Sequence, residues 1–423
     1  MQWLNRAMLR LLIENTLDRE EKIMAEWIEK TLGEVTSYIT KGIPPKYVDD
    51  ENPFSVWVLN QKCNRNFQIS YDDARIHDGE KAKVQDCKLL QEGDVLINST
   101  GTGTAGRVAQ IYNVPVPTTI DGHMILIRPT DEIDFLYFGY AIKNNQRKIE
   151  SLAEGSTGQT EINRRRLLDE VIIRFPQEKR VQKSIGTFIY NIDEKINNNI
   201  KINNNLEQQA EALFHSLFVK NANPTWNEGV LSDLGTVVAG GTPSKTKPEY
   251  YSEHGIAWIT PKDLSLKKSK FVSHGEIDIS ELGFSKSSAT KMPIGTVLFS
   301  SRAPIGYIAI AANEVTTNQG FKSVVPNENV GTAFMYYLLK FLLPTIERMA
   351  SGSTFKEISG AGMKSVPVVI PDNETIEEFN AFCNPIFQQQ EALEAENSRL
   401  TDIRDALLPK LMSGKLDVSA IDL

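Results

Sequence analysis

The chain has 423 residues, 41% of them hydrophobic and 24% charged, with a formal net charge of −8, 3 cysteines and 5 histidines. That length accommodates two or three domains with cores of their own, and the apolar and charged fractions are ordinary for a soluble globular protein. No apolar run approaches the roughly twenty residues of a membrane span, and "MLRLLIENTL" is too short and too charged for a secretory signal, so a cytoplasmic protein is expected.

Cys63, Cys87 and Cys383 are far apart and lack metal-ligand spacing, which argues against both zinc and disulfides. The acidity is unevenly spread. Residues 371–423 hold 4 Lys/Arg against 11 Asp/Glu, residues 27–175 hold 18 against 21, and residues 226–370 hold 14 against 12. The globular parts are near neutral, and a near-neutral lobe can still carry a basic face, so the total neither supports nor excludes DNA.

In chain order, residues 1–26 open with an amphipathic helix, "MQWLNRAMLRLLIENTLDREEKIMA". Residues 27–175 follow as a lobe of short β-rich runs such as "VLIN", "MILIRP" and "VIIRF". Within it, Gly101-x-Gly103-x-x-Gly106 with Asp121 twenty residues past Gly101 spells a dinucleotide fingerprint. The fingerprint needs a helix after its glycines, and Val108, Ile111, Val114 and Val116, running through Pro115 and Pro117, suit a strand and turn instead. A Gly-rich turn is the expectation, with no cofactor in this chain.

Residues 176–222 read as a long helix, with Ile185, Ile189, Ile192, Ile196, Leu206, Ala210, Leu213 and Leu217 spaced by threes and fours around "INNNIKINNN". Residues 223–370 form a second β-rich lobe containing a helix over Phe334 to Arg348. Residues 371–423 form a second long helix with Ile376, Phe379, Cys383, Ile386, Gln390, Leu393, Asn397, Leu400, Arg404, Leu407 and Leu411 on one seam.

The two halves repeat each other. "EWIEKTLGEV" at Trp27 is answered by "TWNEGVLSDLGTV" at Trp226, "GDVLINS" at Gly93 by "GTVLFSS" at Gly295, and "TTIDGH" at Thr118 by "TTNQGF" at Thr316. "EGSTGQTEI" at Glu154 is answered by "SGSTFKEIS" at Ser351, and Pro176 by Pro371. These matches fall 199, 202, 198, 197 and 195 residues apart, in one order, which identifies a tandem duplication. The second copy keeps Gly306 but loses the other two loop glycines, and Asp121 aligns with Gln319, so a phosphate cradle is not the shared feature. Two copies of one scaffold with different loops suit two readers of related ligands.

Asn203 and Asn397 lie at equivalent seam positions, 194 apart. Buried asparagine in a heptad seam fixes register at some cost in stability, which favours an antiparallel coiled coil of the two helices over two helices each buried on its own lobe. The fold class is therefore α+β: two repeated β-rich α/β domains joined by two long helices.

The lobe-helix-lobe-helix order, the second-lobe opening "LGTVVAGGTPSKTKPEYYSEHGIAWITPKDL" and the ending "LLPKLMSGKL" resemble the specificity subunit of type I restriction-modification enzymes over residues 27–423. The resemblance implies that each lobe is a target recognition domain reading half of a bipartite sequence in double-stranded DNA. The coiled coil would be spacer and docking surface for two methyltransferase subunits, joined in the full complex by restriction-motor subunits. S-adenosylmethionine, ATP and Mg2+ would be used by those partners, and this chain would be non-catalytic. Consistent with that, the chain has no Walker loop, and "NPFS" at Asn52 lacks the second proline of a methyltransferase motif. The alternative is a stand-alone nucleic-acid-modifying enzyme, a methyltransferase or nuclease of unfamiliar site.

Phosphates select Lys, Arg, Ser and Thr, and base edges select Arg, Lys, Asn and Gln. Candidates in the first lobe are Lys41, Lys46, Tyr47, Ser99, Thr100, Arg107, Thr157, Gln159, Asn163, Arg164 and Arg165. In the second they are Thr242, Ser244, Lys245, Lys262, Lys267, Arg302, Gln319, Ser353, Thr354 and Lys356. Arg302 leads them, because it replaces Thr100 in a loop whose neighbours Ser301 and Gly306 persist.

Overall fold

Short runs of β-branched and aliphatic residues, broken by Gly, Pro and Asx turns, build the same sheet twice. The computed structural model describes residues 26–155, 160–302, 304–352 and 356–416. The opening helix expected over 1–26, of which only Glu26 is described, and the candidates Thr157, Gln159, Ser353 and Thr354 lie outside the described residues. Two compact units result, one running to Lys195 and resuming at Leu400, the other Ile196–Arg399.

In the first unit the strands are β1 (Trp27–Thr31), β2 (Thr36–Lys41), β3 (Val56–Leu59), β4 (Val95–Asn98), β5 (Val108–Gln110), β6 (Thr118–Ile120) and β7 (Met124–Pro129). Helix α1 (Phe135–Asn144) follows, then α2 (Arg164–Glu170) and β8 (Ile172–Pro176). The main sheet is antiparallel in the order β2-β7-β4-β5. β3 and β6 pair in parallel, and β1 pairs antiparallel with β8, Trp27 opposite Pro176. Val95, Leu96 and Ile97 are completely buried. That is why this strand reads as a continuous apolar run and not an alternating one.

The glycine stretch closes a turn between β4 and β5: Gly101, Gly103 and Gly106 all have positive φ, and a strand follows them.

The second unit repeats the plan with β9 (Asn227–Val230), β10 (Gly235–Ala239), β11 (Trp258–Ile259), β12 (Phe271–Val272), β13 (Val297–Ser301), β14 (Ile305–Ala311), β15 (Thr316–Thr317) and β16 (Lys322–Pro326). Helix α4 (Thr332–Met349) and β17 (Pro367–Ile370) complete it. The sheet order is β10-β16-β13-β14-β12, so four strands match the first unit and β12 is an addition, parallel to β14. β11 and β15 repeat the parallel pair, and β9 with β17 the closing pair.

One pair of glycines shows how closely the backbones agree. A Cβ on Gly42 would lie 2.0 Å from the Ile120 carbonyl oxygen and 2.1 Å from that of Asp121. A Cβ on Gly240 would lie 1.9 Å from the Asn318 oxygen and 2.5 Å from that of Thr317. This corrects the alignment: Asp121 corresponds to Asn318, not Gln319. Both side chains accept a backbone N–H two residues on, from His123 at 2.9 Å and Gly320 at 2.8 Å. Both also donate their own N–H across the parallel pair, to Leu59 and Ile259.

Helix α3 (Lys179–His215, 37 residues) and helix α5 (Asn373–Met412, 40 residues) each contribute to both units. In the first unit the start of α3 buries Ile185, Phe188 and Ile189, and the end of α5 buries Leu408 and Leu411. Asp193 of α3 accepts from Arg404 of α5 at 2.6 Å and from Tyr140 of α1 at 2.8 Å. In the second unit Ala210 and Phe214 of α3 share one core with Phe379, Cys383 and Ile386 of α5 and with α4. Here the helices run antiparallel, with Asn199 beside Asn397 and Asn203 beside Gln390.

The register residue therefore differs from the expected one. Asn199, fully buried, is the partner of Asn397, while Asn203 is half-buried and offers its backbone carbonyl to Gln390. Antiparallel helices bring together residues that the repeat does not align.

Among the described residues no helix is long and apolar enough to cross a membrane.

Candidate nucleic-acid interface

Each lobe places a polar rim where the end of its β4 or β13 strand meets the segment leading to the next short helix. In the first lobe the Ser99 carbonyl accepts the Ile162 N–H at 2.7 Å, and Thr100 bridges Glu161. In the second the Ser301 carbonyl accepts the Ile358 N–H at 3.1 Å, and Arg302 bridges Glu357. Thr100 and Arg302 are thus structural equivalents, and so are Glu161 and Glu357.

In the first rim Gln61 donates its amide to the Thr100 hydroxyl at 2.7 Å and also to the Thr100 carbonyl. That hydroxyl lies 3.0 Å from His123 Nδ1. Lys41, at the end of β2, forms an ion pair with Glu161. These neutral and mutually compensated groups offer both donors and acceptors. Burial pushes the Asp121 carboxyl upward behind them.

The rim gathers Thr100 and Lys41 from the expected set and adds Gln61, His123 and Glu161. Ser99 is a correction, because it is fully buried beneath the rim and its hydroxyl cannot reach a ligand. Lys46 and Tyr47 are exposed on a neighbouring edge, where the Arg75 guanidinium stacks 3.4 Å from the Tyr47 ring centroid. Arg107 is turned back onto the Gly103 carbonyl at 3.0 Å. Asn163 caps α2, its side chain accepting from the Arg165 and Arg166 N–H groups, which occupies the acceptor a base would need. Arg164 and Arg165 are exposed, with Arg165 3.6 Å from Asp169.

The second rim is charged. Arg302 lies 3.5 Å and Lys322 3.6 Å from the Glu357 carboxylate. Gln319 accepts a hydrogen bond from Thr242. Ser244 pairs with Thr246 at 2.9 Å beside exposed Lys245, and Lys356 is exposed next to Glu357. Lys262 is held by Glu276 at 2.6 Å, and Lys267 lines a separate cavity of about 780 Å³ with His274 and Arg399. Lys322, near both Glu357 and the Gln319 carbonyl, links Arg302 to Gln319 and Thr242, whereas Lys267 lies in the separate cavity; Lys262 follows Pro261, whose Cγ would be 3.1 Å from a Cβ on Gly320.

Sequence reasoning missed Glu161 and Glu357, although the Glu-Ile pair inside both "EGSTGQTEI" and "SGSTFKEIS" carried the signal. It also missed Lys322, for which no repeat signal exists, because backbone pairing puts Ile125 in the equivalent place.

Away from the rim, the second unit buries one further charged cluster. Lys270 Nζ donates to Glu207 at 2.7 Å and Gln390 at 2.8 Å, and it faces the Phe387 ring at 3.8 Å. Burial drags the Lys270 ammonium down to about 8, although Glu207 opposes the shift. Burial alone would raise the Glu207 carboxyl, but Lys270 and Lys340 hold it at about 2.

Twin lobes of one plan, each with a rim of hydrogen-bonding side chains and each built onto stretches of the same two helices, define a duplicated recognition protein. The family described as "Type I restriction modification DNA specificity domain" matches the chain twice, over residues 24–208 and 223–396. The chain belongs to that family.

It is 40% identical over 151 residues to the type I restriction enzyme MjaIX specificity subunit of Methanocaldococcus jannaschii, an alignment spanning 35% of each chain. It is 22% identical over 471 aligned positions to the type I restriction enzyme HindI specificity subunit of Haemophilus influenzae, covering 93% of this chain and 100% of that one. In fold it is similar to the crystal structure of the type I restriction-modification S subunit from M. genitalium, with a TM-score of 0.61 at 19% identity, covering 93% and 97% of the two chains.

Proposed function

We propose that this chain gives a type I restriction-modification complex its target sequence, each lobe reading one half of a bipartite site in double-stranded DNA in the cytoplasm. The observation that carries this is the duplicated rim. Thr100 with Glu161 and Arg302 with Glu357 occupy one backbone position in two lobes, with different side chains on the same scaffold. A shared frame with divergent contacts suits two half-sites of different sequence.

The long helices would act as spacer and as docking surface for two methyltransferase subunits, with restriction-motor subunits joining them. Forty residues of helix rise about 60 Å, enough to bridge half-sites about one DNA turn apart. Adenine methylation with S-adenosylmethionine and ATP- and Mg2+-dependent cleavage would then belong to the partners.

Two measurements test the reading. Calorimetry on the purified chain should detect no S-adenosylmethionine binding; binding would favour a stand-alone methyltransferase. Mapping methylated adenines in cells carrying the chain and its methyltransferase partner should return a two-part motif with an unspecified spacer. An undivided motif would overturn the assignment of one half-site to each lobe.

A further inference from the structure

Lys322 is an unusual lysine. Only 11% of its side chain is exposed, yet among the described residues each contact of its ammonium is long: 3.5 Å to the Ser301 hydroxyl, 3.5 Å to the Gln319 carbonyl and 3.6 Å to Glu357. Ordinary N–H···O bonds measure roughly 2.7–3.2 Å, so three donors on a buried cation are only loosely engaged. The same Glu357 carboxylate also serves Arg302, which is 37% exposed. Two cations thus share one anion, and the rim keeps an excess positive charge.

The first lobe has nothing comparable at this position. Thr100 stands where Arg302 does, Ile125 where Lys322 does, and among the described residues Glu161 is balanced by Lys41 alone. The asymmetry is confined to the site of contact, because the frame around it is repeated. A cationic fork with unspent donors matches the guanine edge in the major groove, which presents two acceptors, O6 and N7, side by side. Adenine replaces one of them with a donor, and the rim's two cations would oppose it.

We propose that Arg302 and Lys322, held by Glu357, read a guanine in the half-site of the second lobe. Arg302 makes the contact from the exposed side, and Lys322 supports it from beneath. Glu357 is a positioning residue that keeps the two cations apart and aimed outward. This rests on the bipartite reading above.

The test is methylation mapping with the whole chain and its methyltransferase partner, comparing wild type with Arg302→Ala, Lys322→Met and Glu357→Gln. All three should relax the same single G·C pair by roughly ten- to hundredfold and leave the other half-site and the spacer unchanged. Lys322→Gln must relax that pair too, so the idea stays exposed even where the methionine variant fails to accumulate. An unchanged motif in the Lys322 variants overturns the proposal, as does relaxation at an A·T pair or equal weakening on all sequences. A wild-type motif without two parts overturns the bipartite reading and this proposal with it, a result distinct from a two-part motif whose second half lacks the guanine.

Discussion

Asn199 donates its side-chain amide to the Asn397 carbonyl oxygen at 2.9 Å, and Asn199 itself has no exposed surface. Asn397 is half-buried, and the Asn199 amide also donates to Glu396 at 2.8 Å; removing it takes a donor from both, so Asn199→Ala should destabilise the second unit by about 1–3 kcal/mol. Replacing both residues with Leu should recover that loss or exceed it, because apolar residues pack a seam better than amides do. Chemical denaturation of the four-variant cycle measures the coupling. A double variant as weak as the single would show that the pair does not set the seam.

Glu207 supplies a pH dependence. Its carboxyl is held at about 2 in the fold against an ordinary 4.5, so its stabilisation is complete above about pH 4.5 and drains away as pH falls toward 2. Glu207→Gln should abolish that window and leave Lys270 buried without its anion, a loss of about 3–5 kcal/mol at neutral pH. Thermal melting of the variant across the acid range decides the matter: an unchanged acid profile would mean that the lysine cluster does not govern it.

If the paired helices set the spacer, as proposed, they can be lengthened only as a pair. Gln390 bonds the Asn203 backbone in antiparallel register, so four residues inserted after Asn203 need four more immediately before Gln390 to keep the partners opposed. The matched insertion adds about 6 Å and should lengthen the unspecified spacer while sparing both half-sites. Altered half-sites with an unaltered spacer would refute the ruler.

A fragment ending at Asn221 tests how the helices complete the lobes. It loses Arg404, Leu408 and Leu411, which belong to the first unit, and keeps Phe214 and Leu217 at the matching place 194 residues earlier. A second copy can supply that helix end, so a twofold dimer by sedimentation and an inverted-repeat target by methylation mapping are expected. A stable monomer at micromolar concentration would contradict the pairing.

Much of this was legible in the residues, for physical reasons. "VLIN" and "VLFSS" read as strands because both lie fully buried in their sheets, and the seams of α3 and α5 read as helices because Ile185, Ile189, Phe379 and Cys383 recur on one face. Two things stayed hidden. The match of Asp121 to Asn318 depends on backbone pairing with Leu59 and Ile259, which the Thr-Thr repeat leaves ambiguous by one residue. The partner of Asn397 depends on where antiparallel helices cross, and copy-to-copy alignment points instead to Asn203.

The way α5 is shared also orders the protein's assembly in time. Residues 196–399 form one unit from a continuous stretch, whereas the unit containing the first lobe draws its final helix from beyond Leu400. During synthesis the first lobe leaves the ribosome early but waits, with Asp193 lacking its Arg404 partner, for almost the whole remaining chain before the end of α5 arrives. The second unit closes first. Contacts between segments so far apart in sequence form slowly, and a half-finished apolar face is the kind of surface that associates wrongly in the interval. The lobe made first is therefore completed last.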